Sequence, residues 1–158
     1  LSALANRATE HLVGGKEPQA LGALHPQIAP YGETFRCRCG SQIVTAVGND
    51  PQFVALCGLL GHPEWAKDDR FVSNPLRVQH REAMSQFLAP AFLERRADML
   101  LAEARKRNIP LGKVNRVSEA LGSDSGRAMT ATFETEGHTV QHVRQVAFSI
   151  HRNGKRST

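Results

Sequence analysis

The side chains best suited to nucleophilic, acid–base or metal chemistry are seven histidines, three cysteines and a single tyrosine. Cys37-x-Cys39 would place two thiols on one face of a strand, which is half of a metal site. Structural zinc takes four ligands, and no second Cys/His pair stands at a matching spacing. The pair therefore reads as two small apolar residues of a reduced protein, and with Cys57 the count is odd, which argues against a disulfide framework. His11, His62, His80, His138, His142 and His151 are scattered, and no metal is expected. His25 would need a partner carboxylate to act as a base. Tyr31 could pack its ring and still donate a hydrogen bond. Asp98 reads as a helix-start residue and Asp124 as a loop residue, so no catalytic residue is expected in this chain.

These residues must be held by a mixture of helices and strands. Ser2–Val13 reads as a helix with Leu4, Ala8, His11 and Leu12 on one side, stopped by Gly14-Gly15. Glu17–Tyr31, broken by Pro18, Gly22, Pro26 and Pro30, reads as a loop of a length that is often functional. Thr34–Arg38 and Gln42–Val47 read as a hairpin around Cys39-Gly40-Ser41. Asn49-Asp50-Pro51 is a helix start, followed by a Phe53, Leu56, Cys57, Leu60 stripe that Gly61 ends. Asn74-Pro75 repeats the signal ahead of Leu76, His80, Ala83, Met84, Phe87 and Leu88. A further helix covers about Ala97–Arg107, with cations in its last turn and Asn108 after it. Ile109–Val114 reads as a connector and Val117–Leu121 as a small helix. Ala131–Glu136 and Thr139–Val146 read as a second hairpin, and the tail after Ile150 as frayed. Strands at both ends enclosing about four helices predict an α+β fold in which two antiparallel hairpins form a small sheet.

Length and composition fit about one domain: 158 residues, 41% hydrophobic and 22% charged, with only 6% aromatic, so the core must lean on Leu, Val, Ala and Phe. No apolar run approaches the roughly 20 residues needed to span a bilayer. The start lacks a signal-peptide layout, and a cytoplasmic location is expected. The net charge of +5 gathers at Arg95-Arg96, Arg105-Lys106-Arg107 and Arg152…Lys155-Arg156. A basic surface can hold nucleic acid or anionic cofactors. No zinc finger, aromatic RNA-binding signature or helix-turn-helix accompanies the charge, so it reads as a solvated face with helix-end cations and nucleic acid is not an expected partner.

Five stretches in order carry a resemblance: His25-Pro26-x-Ile28-Ala29-Pro30-Tyr31-Gly32-x-Thr34-Phe35, Ala46-Val47-Gly48-Asn49-Asp50-x-Gln52-Phe53 and Leu59-Leu60-Gly61-His62-Pro63-Glu64, then Asp69-Arg70-Phe71-x-Ser73-Asn74 with Arg77-Val78, and Ile109-Pro110-x-Gly112-x-Val114-Asn115. In this order they resemble the small domain of the class III CoA-transferases, a family that includes formyl-CoA transferase, carnitine-CoA transferase and α-methylacyl-CoA racemase. The hairpin Cys37-Arg38-Cys39-Gly40-Ser41 departs from the Thr-x-Asp-Gly often found there. The resemblance implies that a large Rossmann-like domain, expected to lie outside this chain, holds most of the coenzyme A site and an aspartate nucleophile. In the racemase branch an acid/base pair takes that place. No cofactor is expected to be bound covalently; a coenzyme A thioester is the substrate of the family.

The small domain of such enzymes covers the acyl end of the site, and His25, Pro26, Gln27 and Tyr31 lie in the loop that aligns with the active-site loop. These residues either face substrate or rigidify a crossing between domains. The expected organisation is residues 1–16 as a helix packing on the large domain, 17–147 as the small domain and 148–158 as a basic flexible tail. The expected partners are that large domain, a second copy of the chain and an acyl-CoA. The expected role is the C-terminal portion of a CoA-transferase, inactive alone. A free-standing module for self-association or CoA-like anion binding, and a portion of a racemase, are the alternatives.

Overall fold

A computed structural model describes residues 5–15, 17–144, 151–152 and 155–156. The chain divides into two compact units, Leu1–Val114 and Asn115–Thr158.

The first unit opens with α1 (Ala5–Gly14), followed by the long loop and then β1 (Tyr31–Arg36) and β2 (Gln42–Ala46). The start of the expected first helix, Leu4 included, lies outside the described residues. β1 and β2 pair antiparallel with Phe35 opposite Ile43 and Arg36 opposite Gln42, and the ladder slips between Tyr31 and Thr34. Strand β1 thus begins at Tyr31, earlier than its pattern predicts, because the irregularity at Gly32-Glu33 interrupts the alternation. Cys37 and Cys39 do not share a strand face: both sit in the hairpin loop, Cys37 buried and Cys39 exposed.

The segment read as a connector contains β3 (Leu111–Lys113), which lies antiparallel to β2 with Val44 opposite Gly112. Three residues offer no period to read. The strand is held instead by backbone bonds, Ala46 N–H to Pro110 O and Val114 N–H to Gln42 O, both at 2.9 Å. The sheet order is β1-β2-β3.

Helix α2 (Asp50–Leu60) begins as predicted. The Asn49 side chain accepts from Gln52 N–H at 2.9 Å, and the Gln52 side chain accepts in return from Gly48 N–H at 2.8 Å. It stops at Gly61, and a 3-10 turn, Pro63–Lys67, follows. The helix expected from Asn74 is two helices, α3 (Asn74–Gln79) and α4 (Arg81–Leu93), which break at His80. His80 has a ψ of 26°, outside the helical well, and turns the chain so that α4 can lie along β1. Helix α5 (Ala97–Lys106) ends at a left-handed Asn108, φ 54°, as its sequence implies.

The inward residues of the sheet, Phe35 and Ile43, and Val47 just beyond β2, pack with Phe53, Leu56 and Leu60 of α2, Met84, Leu88 and Phe92 of α4, and Leu100 and Ala104 of α5. Phe35 and Phe92 stack with centroids 4.6 Å apart. Aliphatic residues fill most of this core, in keeping with the low aromatic content.

The second unit contains α6 (Val117–Gly122), α7 (Asp124–Ala128), β4 (Thr130–Thr135), β5 (His138–Val143), and the short pair β6 (His151–Arg152) and β7 (Lys155–Arg156). The expected second hairpin is present as a two-stranded sheet of its own, with Phe133 opposite Val140; residues 145 and 146 of its expected second strand lie outside the described residues. Asp124 opens a helix rather than lying in a loop, with the Ser123 hydroxyl accepting from Gly126 N–H at 3.0 Å. In the tail, read as frayed, β6 pairs antiparallel with β7. Taken together, the protein is α+β, with one three-stranded and two two-stranded antiparallel sheets among the described residues.

Candidate functional site

The long loop ends in a segment, His25–Tyr31, whose backbone carbonyls are bound one after another by side chains from α3 and α4. Arg81 Nη2 donates to His25 O at 2.6 Å and to Ile28 O at 2.9 Å. Asn74 Nδ2 donates to Gln27 O at 2.8 Å, while its Oδ1 accepts from Ala29 N–H at 3.1 Å. Arg77 Nε donates to Ala29 O at 2.9 Å. A loop this irregular cannot satisfy its own polar groups in a ladder, so these side chains supply the missing partners. The loop closes on itself through His25 N–H to Tyr31 O at 2.9 Å.

Two buried charged networks support the clamp. Arg77 is 1% exposed; beyond Ala29 it donates to Phe71 O at 2.9 Å and Asp50 Oδ1 at 2.6 Å, and its guanidinium lies 4.5 Å from the centroid of Phe53. Glu33, buried on the inner face of β1, accepts from Arg81 Nη1 at 2.8 Å and from the Ser85 hydroxyl at 2.7 Å. Sequence reading did not single out Glu33, Arg81 or Ser85. The available signal was parity. Glu33 alternates inward with Phe35 and Cys37, and Arg81 and Ser85 fall on the same helical stripe as Leu88 and Phe92.

His25, Pro26, Gln27 and Tyr31 come together on one open cleft of about 580 Å³, which Arg7 and Glu10 of α1 also line. The His25 and Tyr31 rings meet edge-on, centroids 5.4 Å apart. Gln27 N–H donates to His25 Nδ1 at 3.2 Å. That bond leaves the proton of the neutral imidazole on Nε2, so His25 presents a donor to the cleft. Glu10 accepts from both Gln27 Nε2 and Arg7, tying α1 to the loop. The cleft thus offers hydrogen-bond donors and a ring surface.

The cysteines lie elsewhere. Burial pushes the Cys57 thiol up to about 12, and burial followed by neighbouring Cys39 raises Cys37. Exposed Cys39 is lowered to about 7, first by the backbone of Ala97 at the start of α5 and then by the side chain and backbone of Ser41. Alkylation by iodoacetamide should therefore label Cys39 first, with a rate that climbs as pH rises through about 7, because the thiolate reacts. Cys39→Ser should remove the fast phase, and equal labelling of Cys37 at neutral pH would contradict this assignment. Among the described residues, no group of three or more His, Cys, Asp or Glu could hold a metal ion, and no helix is long and apolar enough to cross a membrane.

A three-stranded sheet backed by helices, with a clamped loop beside an open cleft, defines an α+β domain. A family model for CoA-transferase family III matches residues 1–157, and the chain belongs to that family. It is 33% identical over 139 residues to the succinate–glutarate CoA-transferase of Agrobacterium fabrum, spanning 87% of this chain and 34% of that protein. An acyl-CoA transferase of Fusarium pseudograminearum is 40% identical over 115 residues, 73% of this chain and 25% of that one. The crystal structure of a CAIB/BAIF family protein from Brucella suis superposes with a TM-score of 0.75 at 35% identity, covering 99% of this chain and 40% of that chain. The chain thus spans about a quarter to a third of the length of these curated relatives.

Proposed function

We propose that this chain is the C-terminal small-domain portion of a CoA-transferase. In this reading it covers the acyl end of the site while a large domain supplies the coenzyme A site and the nucleophile. The observation that carries the reading is the His25–Tyr31 loop, whose backbone is fixed from below and whose side chains line an open cleft. A loop that merely crossed between domains would not require side-chain donors on four of its carbonyls, those of His25, Gln27, Ile28 and Ala29. Carboxylate nucleophilic catalysis needs a thioester held beside the nucleophile and donors for the developing oxyanion. Here the chain orients the acyl group, with Tyr31 and His25 Nε2 as donors and the wall excluding water. The similarity to a succinate–glutarate enzyme favours short dicarboxylic acids and their CoA thioesters as substrates.

The isolated chain, given succinyl-CoA and glutarate, should form no glutaryl-CoA; robust turnover would refute the need for a second domain. A hybrid in which this chain replaces the matching third of the Agrobacterium enzyme should be active. In that hybrid Tyr31→Phe should raise KM for the acid about tenfold with little change in kcat. An active hybrid indifferent to His25→Ala and Tyr31→Phe would remove the substrate-facing role.

A second reading, self-association in place of a large domain, draws on Leu12 and Val13 of α1, which are 81% and 85% exposed. Sedimentation at several concentrations tests it, and a strict monomer counts against it.

A further inference from the structure

The pair Glu33–Arg81 costs desolvation that an apolar pair in the same place would avoid, and buried ion pairs often stabilise a fold no better than well-packed hydrophobic residues. We infer that Arg81 is a positioning residue for the His25–Tyr31 loop, with Glu33 orienting its guanidinium so that His25, Gln27 and Tyr31 face the cleft. The inference rests on the reading of that loop as substrate-facing and names the group that sets its shape.

The geometry divides the work. Nη1 is committed to Glu33, which Ser85 holds from its other oxygen. The carbonyl of Glu33 is itself fixed by the Thr45 hydroxyl at 3.2 Å, across the β1–β2 ladder. With one arm anchored to the sheet, Nη2 stands where it meets His25 O and Ile28 O together. These two carbonyls bracket Pro26 and Gln27, so their separation sets the curvature of the segment carrying the donors. The planar fork spans the carboxylate and both carbonyls from fixed directions, whereas a lysine ammonium, a single point charge, cannot. Along α4 the stripe that meets β1 therefore changes character. Leu88 and Phe92 bury apolar surface, whereas Arg81 and Ser85, nearer the loop, hold polar groups in register.

The test uses the intact chain and needs no turnover. Arg81→Lys keeps a cation near Glu33 but removes the fork. Hydrogen exchange at the His25, Gln27 and Ala29 amides should rise about tenfold, with amides of α2 and α5 unchanged. The His25 ring resonances should also lose the shift that the Tyr31 ring imposes. Ser85→Ala removes the other donor to Glu33 but leaves Arg81 and its fork in place, so loop exchange should rise far less than in Arg81→Lys. Parent-like exchange and ring shifts in Arg81→Lys overturn the inference, as does equal loosening in Ser85→Ala. If Arg81→Lys does not fold, the unsubstituted chain decides: hindered rotation of the Arg81 guanidinium about Nε–Cζ supports the role, and free rotation overturns it. Because these readouts are independent of catalysis, an inactive hybrid enzyme would count against the substrate reading alone.

Discussion

Arg77→Met should lower the free energy of unfolding of the first unit by about 3 kcal/mol, a large share of an ordinary domain's stability. Methionine fills much of the same volume and packs on Phe53, so the loss is chiefly polar. Asp50, whose side chain is 52% exposed, can turn to water when its partner is removed. The carbonyls of Ala29 and Phe71 cannot; each loses a donor inside the protein, at about 1–3 kcal/mol apiece. Urea unfolding followed through Trp65, the sole tryptophan, which stacks on His62 with centroids 4.0 Å apart, measures the change. A loss under about 1 kcal/mol would mean that water or another side chain satisfies both carbonyls.

Gly32→Ala should cost about as much, roughly 3 kcal/mol, by a different route. Gly32 has φ 78°, where a Cβ is strained, and that Cβ would stand 1.8 Å from Ala23 O and 2.8 Å from Ala23 C. Both are backbone atoms, so either the irregular start of β1 or the Gly22–Leu24 turn must move. The bond from His25 N–H to Tyr31 O spans that junction and should break. Thus exchange of the His25 amide should accelerate in step with the loss of stability. An alanine variant with parent stability and a protected His25 amide would show that the close approach is not required. Since Arg77 and Gly32 constrain one loop from two sides, the double variant should lose less than the sum of the singles.

The motifs that resembled a family turn out to have physical reasons that one sequence shows unevenly. Asn49-Asp50-Pro51 was legible as a helix start because capping is local; that Asp50 also pairs with Arg77 was not, since the two meet only in the fold. Asn74 read as a helix-start residue, yet its side chain grips Gln27 and Ala29. Periodicity found α2, α5 and both hairpins. It missed β3, which is too short to have a period, and the break at His80, where the apolar spacing runs on unchanged. For the site, His25, Pro26, Gln27 and Tyr31 were named together through the resemblance, and the structure puts them on one cleft. The clamp beneath them was not visible. A buried arginine or glutamate is identified by its partners, and those partners stand on other elements.

The late arrival of β3 has a consequence during synthesis. β2 is the middle strand, yet its second neighbour is made only after four α-helices have intervened. Until Leu111–Lys113 emerges from the ribosome, β2 carries an open hydrogen-bonding edge beside the apolar residues Ile43 and Val44. A nascent or prematurely ended chain that stops short of Leu111 therefore displays a template for pairing with its neighbours, and aggregation of such pieces follows from the topology itself.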